Sequence, residues 1–275
     1  MRIQFLGTAA AEGIPAVFCA CDVCRKVRRI GGRDVRSRCQ TLIDDCLLID
    51  FGPDTYHHCL TYGVDLSKVR DAIVTHVHED HFYPTELGNL RRPFAVTPEG
   101  VPNFRIWGSC DVGSLTESIF ANPRIRGEFR EVKPFQPNSI AGFSVTALKA
   151  THGTENPYVY LIEKDGKCLL YAHDSGIFPD ETWDYLAGLK LHIDMISFDC
   201  TGGTEDDLDY ASHMCLGRNI RCRERLQRMG LVDDETRCFV NHFSHNGKDV
   251  LWEDLEPQAR AAGFEVTYDG LVTEI

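Results

Sequence analysis

The sequence predicts an α/β fold in which two mixed β-sheets pack together and helices cover their outer faces. Strand patterns run in hairpin-like series in the first half of the chain and alternate with helical patterns in the second half. Several of these strands are followed by polar residues of types that bind metals. The 275 residues can bury a sizeable core, and neither a repeat nor a flexible linker divides them, so we expect one domain over residues 1–275.

The predicted strands are short apolar segments bounded by turn residues. They lie at Arg2–Leu6, Thr41–Ile43, Cys46–Asp50, Ala72–Thr75, Phe104–Trp107, Phe143–Leu148, Tyr158–Glu163, Cys168–Ala172, Met195–Asp199, Cys238–Asn241, Glu265–Tyr268 and Leu271–Glu274. Helical patterns lie at Thr55–Tyr62, Thr85–Arg91, Val112–Ala121, Asp180–Leu186, Met214–Met229 and Asp249–Ala262. The Asp-Gly pair in KDGK, residues Lys164–Lys167, predicts a hairpin between two of the strands.

Composition and charge exclude several classes of function. The net charge of −12 argues against a general nucleic-acid binder, because neutralising phosphates requires a basic surface. No stretch approaches the length of a membrane span, and no signal peptide is visible, so we expect a cytoplasmic protein without a membrane partner. The 12 cysteines are scattered, which favours reduced thiols, some of them held by a metal, over a disulfide framework.

The stretch VTHVHEDH, from Val74 to His81, places three imidazoles and a carboxylate at the end of a predicted buried strand. If the strand continues, His76 and His78 point the same way and can bind one metal. Asp80 and His81 follow a turn, so they could serve a second metal, although Asp80 could also cap a helix. Histidine and carboxylate together suit zinc, manganese or iron. The alternative is a polar loop without a metal.

Three more candidate ligands follow predicted strands later in the chain, namely His152 in LKATHGT, Asp174 in LLYAHDSG and His242 in CFVNHFSH. Each one alone could be an ordinary polar residue after a strand. Strand ends that carry ligands commonly converge on one edge of a sheet in α/β proteins, so together they could complete a site with two metals.

The stretch FCACDVCRK contains Cys19, Cys21 and Cys24. Three thiolates within six residues are typical of a closed structural zinc site, which needs a fourth ligand. His245, three residues after His242, is the best candidate. Three free cysteines in a loop are the alternative. The other nine cysteines lie mostly in strand or helix patterns and are interpreted as small core residues.

The motif THVHEDH resembles the H-x-H-x-D-H signature of the metallo-β-lactamase superfamily, and the three later candidates match its remaining ligands in order and context. The resemblance covers essentially the whole chain and implies an αββα sandwich with two divalent metals, zinc or manganese, at the sheet edge. It assigns His76, His78 and His152 to one metal, it assigns Asp80, His81 and His242 to the other, and it places Asp174 between them.

Two single positions add detail to this resemblance. Asp50, at the end of the strand in LLIDFG, corresponds to an early aspartate with a structural role near the site. His78 stands where the redox diiron members carry glutamate, which favours a hydrolytic site.

The N-terminal stretch GTAAAEGIPAVFCACDVC and the C-terminal NHFSH resemble the PhnP family of cyclic phosphodiesterases, which carry both a dinuclear site and a Cys₃His zinc. The resemblance implies hydrolysis of a ribosyl cyclic phosphate in phosphonate catabolism, with a small phosphodiester as substrate and a homodimer as one assembly. A pyrroloquinoline-quinone biosynthesis relative shares the Cys-x-Cys-x-x-Cys element, so that element does not identify the substrate.

The implied mechanism uses a metal-bridging hydroxide, which Asp80 and Asp174 help to position. His213, in DYASHMC, matches a PhnP-family histidine near the site and is expected to protonate the leaving group, unless it is a surface residue at a helix cap.

Four histidines receive no role as ligands. His57 and His58 are expected on the surface of a helix, His173 is expected to point away from the ligands, and His192 is expected to be ordinary.

Three other functions stay open. A tRNA 3′-processing endonuclease would want a long basic arm, and the sequence contains no such insertion. The ligands alone do not exclude a lactonase or a thioesterase. A binding module without catalysis conflicts with the complete ligand set. The segment Arg91–Trp107 and the acidic loop Gly203–Tyr210 are expected to border the site.

Overall fold

The computed structural model describes residues 1–205 and 211–275, in which two seven-stranded mixed sheets pack face to face. The first sheet contains, in spatial order, β14 (Val272–Glu274), β1 (Arg2–Gly7), β2 (Gln40–Ile43), β3 (Leu47–Ile49), β4 (Asp71–Ile73), β5 (Phe104–Gly108) and β6 (Gly127–Glu131). The second contains β13 (Glu265–Val266), β12 (Arg237–Asn241), β11 (Met195–Asp199), β10 (Lys167–Ala172), β9 (Tyr158–Lys164), β8 (Phe143–Lys149) and β7 (Pro137–Ile140).

Helices cover the outer faces of both sheets. They are α1 (Asp22–Ile30), α2 (Thr55–Tyr62), α3 (Cys110–Phe120), α4 (Asp180–Ala187), α5 (Leu216–Arg228) and α6 (Trp252–Ala261), with 3-10 turns at Gly32–Asp34 and Pro84–Asn89. Trp183 of α4, Leu226 of α5 and Leu255 of α6 are buried against the second sheet, and Val112 of α3 is buried against the first. The predicted αββα sandwich is confirmed.

The core between the sheets is formed by the inward-facing residues of the central strands, including Phe5, Ile49, Tyr160, Tyr171 and Phe239. These strands are buried on both faces, so they appear in the sequence as continuous apolar runs. Burial of this apolar surface is the main stabilising contribution to the fold. None of the helices in the described ranges has the length and apolar character that crossing a bilayer requires.

Strand direction places the functional residues at one edge of the sandwich. In the first sheet β3, β4, β5 and β6 are parallel, and in the second β10, β11, β12 and β13 are parallel. β8 and β10 both pair antiparallel with β9, so they also run in one direction. The loops that follow these strands therefore open on a common edge, the usual location of sites in α/β folds.

The KDGK hairpin is confirmed, because Lys164 pairs with Lys167 across an antiparallel ladder and Asp165 and Gly166 both have positive φ. Three elements have no counterpart among the predictions. Helix α1 buries only Cys24 and Val27, and five of its nine residues are charged. Strands β6 and β7 are polar, and Ile140 is the one buried residue in them. The helix predicted at Thr85–Arg91 is instead the 3-10 turn, in which Gly88 disfavours a longer α-helix.

Candidate metal centre

Seven side chains that the sequence singles out as metal ligands gather at the common sheet edge. They are supplied by the segments that follow β4, β8, β10 and β12, and they form two overlapping groups. The first group is His76, His78, His152 and Asp174, and the second is Asp80, His81, Asp174 and His242. Within each group the candidate ligand atoms lie within 4.8 Å of one another. Asp174 belongs to both groups.

The first group is arranged around the imidazole of His78. Its Nδ1 lies 2.9 Å from Nε2 of His76 and 3.0 Å from Nε2 of His152. Oδ2 of Asp174 lies 3.1 Å from the same nitrogen of His76. Three imidazole nitrogens and a carboxylate oxygen thus converge on one small volume.

The second group is centred on Nε2 of His81. This nitrogen lies 3.2 Å from Nε2 of His242, 3.2 Å from Oδ2 of Asp80 and 3.2 Å from Oδ2 of Asp174. Asp80 and His81 reach this position after a turn in which the backbone N–H of His81 donates to the carbonyl of His78. One continuous stretch therefore contributes to both groups, two residues to each.

These separations fit divalent metals. Ligand atoms about 2.0–2.1 Å from a tetrahedral centre are about 3.3 Å apart, close to the spacing of the nitrogen and oxygen atoms in both groups. Oδ1 of Asp174 is buried and accepts no hydrogen bond among the described residues, although Nδ1 of His213 lies 3.0 Å away. A buried carboxylate oxygen is costly unless a cation, either a protonated imidazole or a metal, neutralises it.

The electrostatics of the site also favour cations. Burial lowers the pKa of His76 to about 4, so this imidazole is neutral and offers a lone pair. At His81 burial also opposes the charged form, but the negative charges of Asp80 and Asp50 outweigh it and raise the pKa well above the usual value. The carboxylates thus create a negative potential at this point that favours a cation, whether a proton or a metal.

Asp50, which follows β3, orients two parts of the site. Its Oδ2 lies 2.7 Å from Nδ1 of His81, and its Oδ1 accepts from the backbone N–H and the hydroxyl of Thr75. The ring of His81 is held so that Nε2 points into the second group. A carboxylate that fixes the other ring nitrogen is typical of metal-binding histidines.

Three residues of this edge have left-handed backbone conformations, which non-glycine residues rarely adopt. They are Asp50, Asp174 and His242, with φ angles of 65°, 51° and 61°. Asp50 and His242 come directly after a strand and Asp174 is the second residue after one, so the turn there directs the side chain into the site. Strained conformations of this kind cluster at functional sites.

A fourth carboxylate, Asp199 at the end of β11, has no role among the sequence predictions. It is fully buried, and its Oδ2 lies 3.1 Å from Nδ1 of His213 and 3.2 Å from Nδ1 of His242. Asp174, Asp199, His213 and His242 form a further group with convergent ligand atoms. The signal was present in MISFDC, because an acid at the end of a buried strand is the same pattern that singled out Asp174.

His213 lies inside the site and is not a surface residue. Besides the carboxylates of Asp174 and Asp199, its Nδ1 faces the hydroxyl of Thr201 at 3.2 Å. Burial lowers its pKa, but the charge and hydrogen bond of Asp199 outweigh burial and raise that pKa to about 9. A protonated imidazole at the rim of a metal site can donate a proton.

Two glycines allow the chain to approach this closely. A Cβ at Gly52 would lie 2.1 Å from the carbonyl oxygen of Asp80, and a Cβ at Gly176 would lie 1.6 Å from that of Ala211. Only glycine therefore permits the segments that carry Asp80 and His213 to pack against the loops after β3 and β10.

A second cluster lies near the first and contains Cys19, Cys21, Cys24 and His245. Nδ1 of His245 is 3.5 Å from Sγ of Cys21 and 3.7 Å from Sγ of Cys19. Sulfur and nitrogen ligands of a tetrahedral zinc are about 3.6 Å apart, so the cluster fits that ion. The backbone N–H of Cys24, in the first turn of α1, donates to Cys21 and is the main reason that the pKa of Cys21 falls to about 6.

Four other histidines lie outside these clusters. His57 is exposed, as predicted, but the prediction that His58 lies on the surface is wrong. Its Nδ1 and Nε2 lie 2.7 Å from Oε1 of Gln40 and Oγ of Ser37, so the inner face of α2 buries it. His173 points away from the ligands, with Nε2 2.6 Å from Oγ of Ser197, and His192 is partly exposed. Among the cysteines interpreted as core residues, Cys110 is exposed instead.

Two segments, Arg91–Trp107 and Gly203–Tyr210, were expected to border the site. Residues 90–101 line two cavities whose linings include none of the candidate ligands. Most of the acidic loop Gly203–Tyr210 falls on residues 206–210, outside the described part of the chain.

A family model described as the β-lactamase superfamily domain matches residues 46–235, which is more than half of the chain. The chain belongs to the β-lactamase superfamily. It is therefore a metallo-β-lactamase-fold hydrolase, and the resemblance seen in THVHEDH is confirmed at the level of the superfamily.

Solved structures share the fold over the whole chain. A diphosphatase of the PhnP family superposes with a TM-score of 0.75 at 22% identity and covers 100% of this chain and 98% of its own. Zinc-bound PqqB from Methylobacterium extorquens superposes with a TM-score of 0.75 at 20% identity, with 100% of both chains covered.

The sequence relatives of this chain carry diverse names. An octanoyltransferase of Porphyromonas gingivalis is 31% identical over 56% of this chain and 31% of its own length. Ribonuclease Z of Listeria monocytogenes is 26% identical over 62% of this chain and 52% of its own. The coenzyme PQQ synthesis protein B of Methylobacterium radiotolerans is 25% identical over 98% of this chain and 99% of its own. The chain thus spans about a third of the octanoyltransferase and about half of the ribonuclease.

Proposed function

We propose that the protein is a metal-dependent phosphodiesterase that hydrolyses a small cyclic phosphate diester, of the ribosyl 1,2-cyclic phosphate type. The observation that carries the proposal is the pair of ligand groups that share Asp174. Two adjacent metal positions joined by one carboxylate suit the displacement of one oxygen by another at phosphorus. The PhnP-family diphosphatase with the same fold supports a phosphate substrate.

In this proposal His76, His78, His152 and Asp174 hold one divalent metal, zinc or manganese, and Asp80, His81, Asp174 and His242 hold the other. Bound metals of this kind lower the pKa of water and neutralise the charge that develops on phosphoryl oxygens. Asp80 has a strongly lowered pKa, because the positive charge of His81 outweighs the effect of burial. Its carboxylate is therefore ionised and can orient the attacking water.

The protein must also protonate the leaving group. The water oxygen forms a bond to phosphorus while one ester P–O bond breaks, so the ring opens to a phosphomonoester. His213 donates a proton to the departing oxygen and is recharged by the proton that the water releases. Asp199 keeps the imidazole of His213 oriented and charged before the step, since its Oδ2 lies 3.1 Å from Nδ1.

The cysteine cluster has a structural role in this proposal. A zinc held by Cys19, Cys21, Cys24 and His245 would fix the loop that contains His245, three residues from the ligand His242. All four ligand positions are supplied by the protein, which is typical of structural zinc.

A second candidate is a ribonuclease of the ribonuclease Z type, favoured by the ribonuclease Z relatives. It shares the reaction at phosphorus but needs a surface that binds RNA. The net charge of −12 favours the small substrate.

A hydrolysis panel tests the proposal. Purified protein loaded with manganese or zinc is assayed with ribosyl 1,2-cyclic phosphate, 2′,3′-cyclic nucleotides, bis-p-nitrophenyl phosphate, a precursor tRNA, a lactone and a thioester. We expect the highest kcat/KM with a cyclic phosphate, and the loss of that activity in His213→Ala. Turnover of only the lactone or the thioester would overturn the proposal, and preferential cleavage of the tRNA would replace it by the second candidate.

A further inference from the structure

A separate cavity on the outer face of the first sheet is lined by arginines. It has a volume of about 380 Å³, within the range of small-molecule sites, and lies between the segment after the 3-10 turn and the segment that precedes β6. Arg91, Arg92, Arg124 and Arg126 contribute half of its lining, and no acidic residue lines it. In a chain with 41 acidic and 29 basic residues, this concentration of positive charge is unusual.

These arginines have no carboxylate partner among the described residues. Seven other arginines form ion pairs there, as Arg105 does with Asp71, whereas none of these four does. The backbone of Arg126 donates to the carbonyl of Leu90, and its Nη2 donates to the carbonyl of Val101 at 2.6 Å. These two bonds join the two segments and fix the walls of the cavity.

The neighbouring cavity is largely apolar, although Lys68, Arg70 and Glu86 also line it. It has a volume of about 540 Å³ and shares Leu90, Ala95 and Thr97 with the arginine-lined cavity. Phe51, Leu66 and Phe104 lie in its lining, and so does Phe94, whose side chain is 64% exposed. An exposed aromatic ring at the junction with a basic cavity offers a stacking surface next to a site for anions.

We propose that the two cavities together bind a phosphorylated small molecule, with phosphoryl groups on the arginines and an apolar or aromatic part against Phe94. Guanidinium groups pair with phosphoryl oxygens in forked hydrogen bonds, and four of them neutralise a diphosphate. The candidate metal ligands are absent from both linings, so this site is separate from the metal centre. The inference does not depend on the proposed function.

The test is an isothermal calorimetric titration of the protein, first with ADP and separately with inorganic pyrophosphate. Arg92 and Arg124 are the residues to change, because both are exposed and neither side chain makes a hydrogen bond among the described residues. The double variant Arg92→Gln/Arg124→Gln is compared with Arg228→Gln, an exposed arginine at the end of α5. His78→Ala reports binding at the metal centre.

We expect wild type, Arg228→Gln and His78→Ala to bind ADP with similar Kd values, and the double variant to bind at least about 10-fold more weakly with an unchanged Tm. ADP should bind more tightly than pyrophosphate, because only ADP has a ring that can stack on Phe94. No binding, or binding that is lost in His78→Ala and kept in the double variant, would overturn the proposal. A single-stranded RNA oligonucleotide that binds more tightly than ADP and depends on the same arginines would also overturn it, in favour of RNA.

Discussion

The imidazole of His213 lies against the carboxylate of Asp199, with Nδ1 3.1 Å from Oδ2, and Asp199 is fully buried. If the carboxylate acts through the imidazole, the two residues form one functional unit. Residues that act as a unit show strongly non-additive effects on turnover.

His213→Ala is expected to lower kcat by about 10²–10⁴-fold, the usual contribution of a positioned proton donor. Asp199→Asn keeps the size and shape of the side chain but removes its negative charge, so it should lower kcat by at least about 10-fold. The double variant should be no slower than His213→Ala. Steady-state kinetics of the four proteins, at equal metal content, measures this coupling, and multiplicative losses would show that the residues act independently.

Removal of His78 should empty one metal position without unfolding the protein. His78 is partly exposed and bridges the nitrogens of His76 and His152, so His78→Ala removes a ligand and leaves the core intact. Elemental analysis should give about three metal ions per wild-type chain and about two in the variant, with turnover reduced at least about 100-fold. His57→Ala, an exposed control, should match wild type. One metal ion or fewer in wild type would contradict the two-site assignment.

The cysteine cluster should contribute to stability but not to chemistry. Cys21→Ser should release about one zinc and lower Tm by roughly 10 °C, the shift that a loss of about 4 kcal/mol produces in a chain of this size. Cys110→Ser is the matched control, because Cys110 is exposed and outside the cluster. Thermal unfolding with metal analysis decides the outcome, and equal Tm values for the two variants would refute the structural role.

Stability should fall in mild acid because of His58. Burial lowers its pKa from 6.5 to about 4 in the folded protein. Between these values the unfolded chain binds a proton that the folded chain does not, so the free energy of unfolding decreases as pH falls. The contribution of His58 between pH 7 and pH 5 is about 2 kcal/mol.

The matched pair His58→Gln and His57→Gln isolates this contribution in urea unfolding at both pH values. His57→Gln should keep the full pH dependence of wild type, and His58→Gln should show a smaller decrease in the free energy of unfolding. Identical pH dependence in the two variants would be inconsistent with a buried neutral His58.

Local patterns predicted the elements near the site well, because buried strands and their polar ends leave a clear signal. Helix α2 and strand β11 have the predicted bounds, and Asp174 follows β10 as expected. His58 was misplaced because α2 has a weak apolar pattern, so its inner face could not be recognised. Its partners Ser37 and Gln40 come from another part of the chain, and contacts of that kind depend on tertiary packing.

The arrangement of the ligand groups also depends on tertiary packing that the sequence does not reveal. The sequence predicts which strand ends carry ligands, but the sharing of Asp174 depends on the register of the strands and on the left-handed backbone after β10. The role of Asp199 emerges only when β11 and β12 are aligned, because Asp199 pairs with Asn241 across the parallel ladder and so lies beside His242.

The cysteine cluster joins two positions that are 224 residues apart, Cys21 and His245. A zinc there would act as a removable cross-link across most of the chain, and it would stabilise the folded state because the unfolded chain lacks the assembled site. The strength of this cross-link would depend on the free zinc concentration of the surroundings. The lifetime of the folded protein would therefore follow the metal supply, even under conditions in which the catalytic positions stay filled.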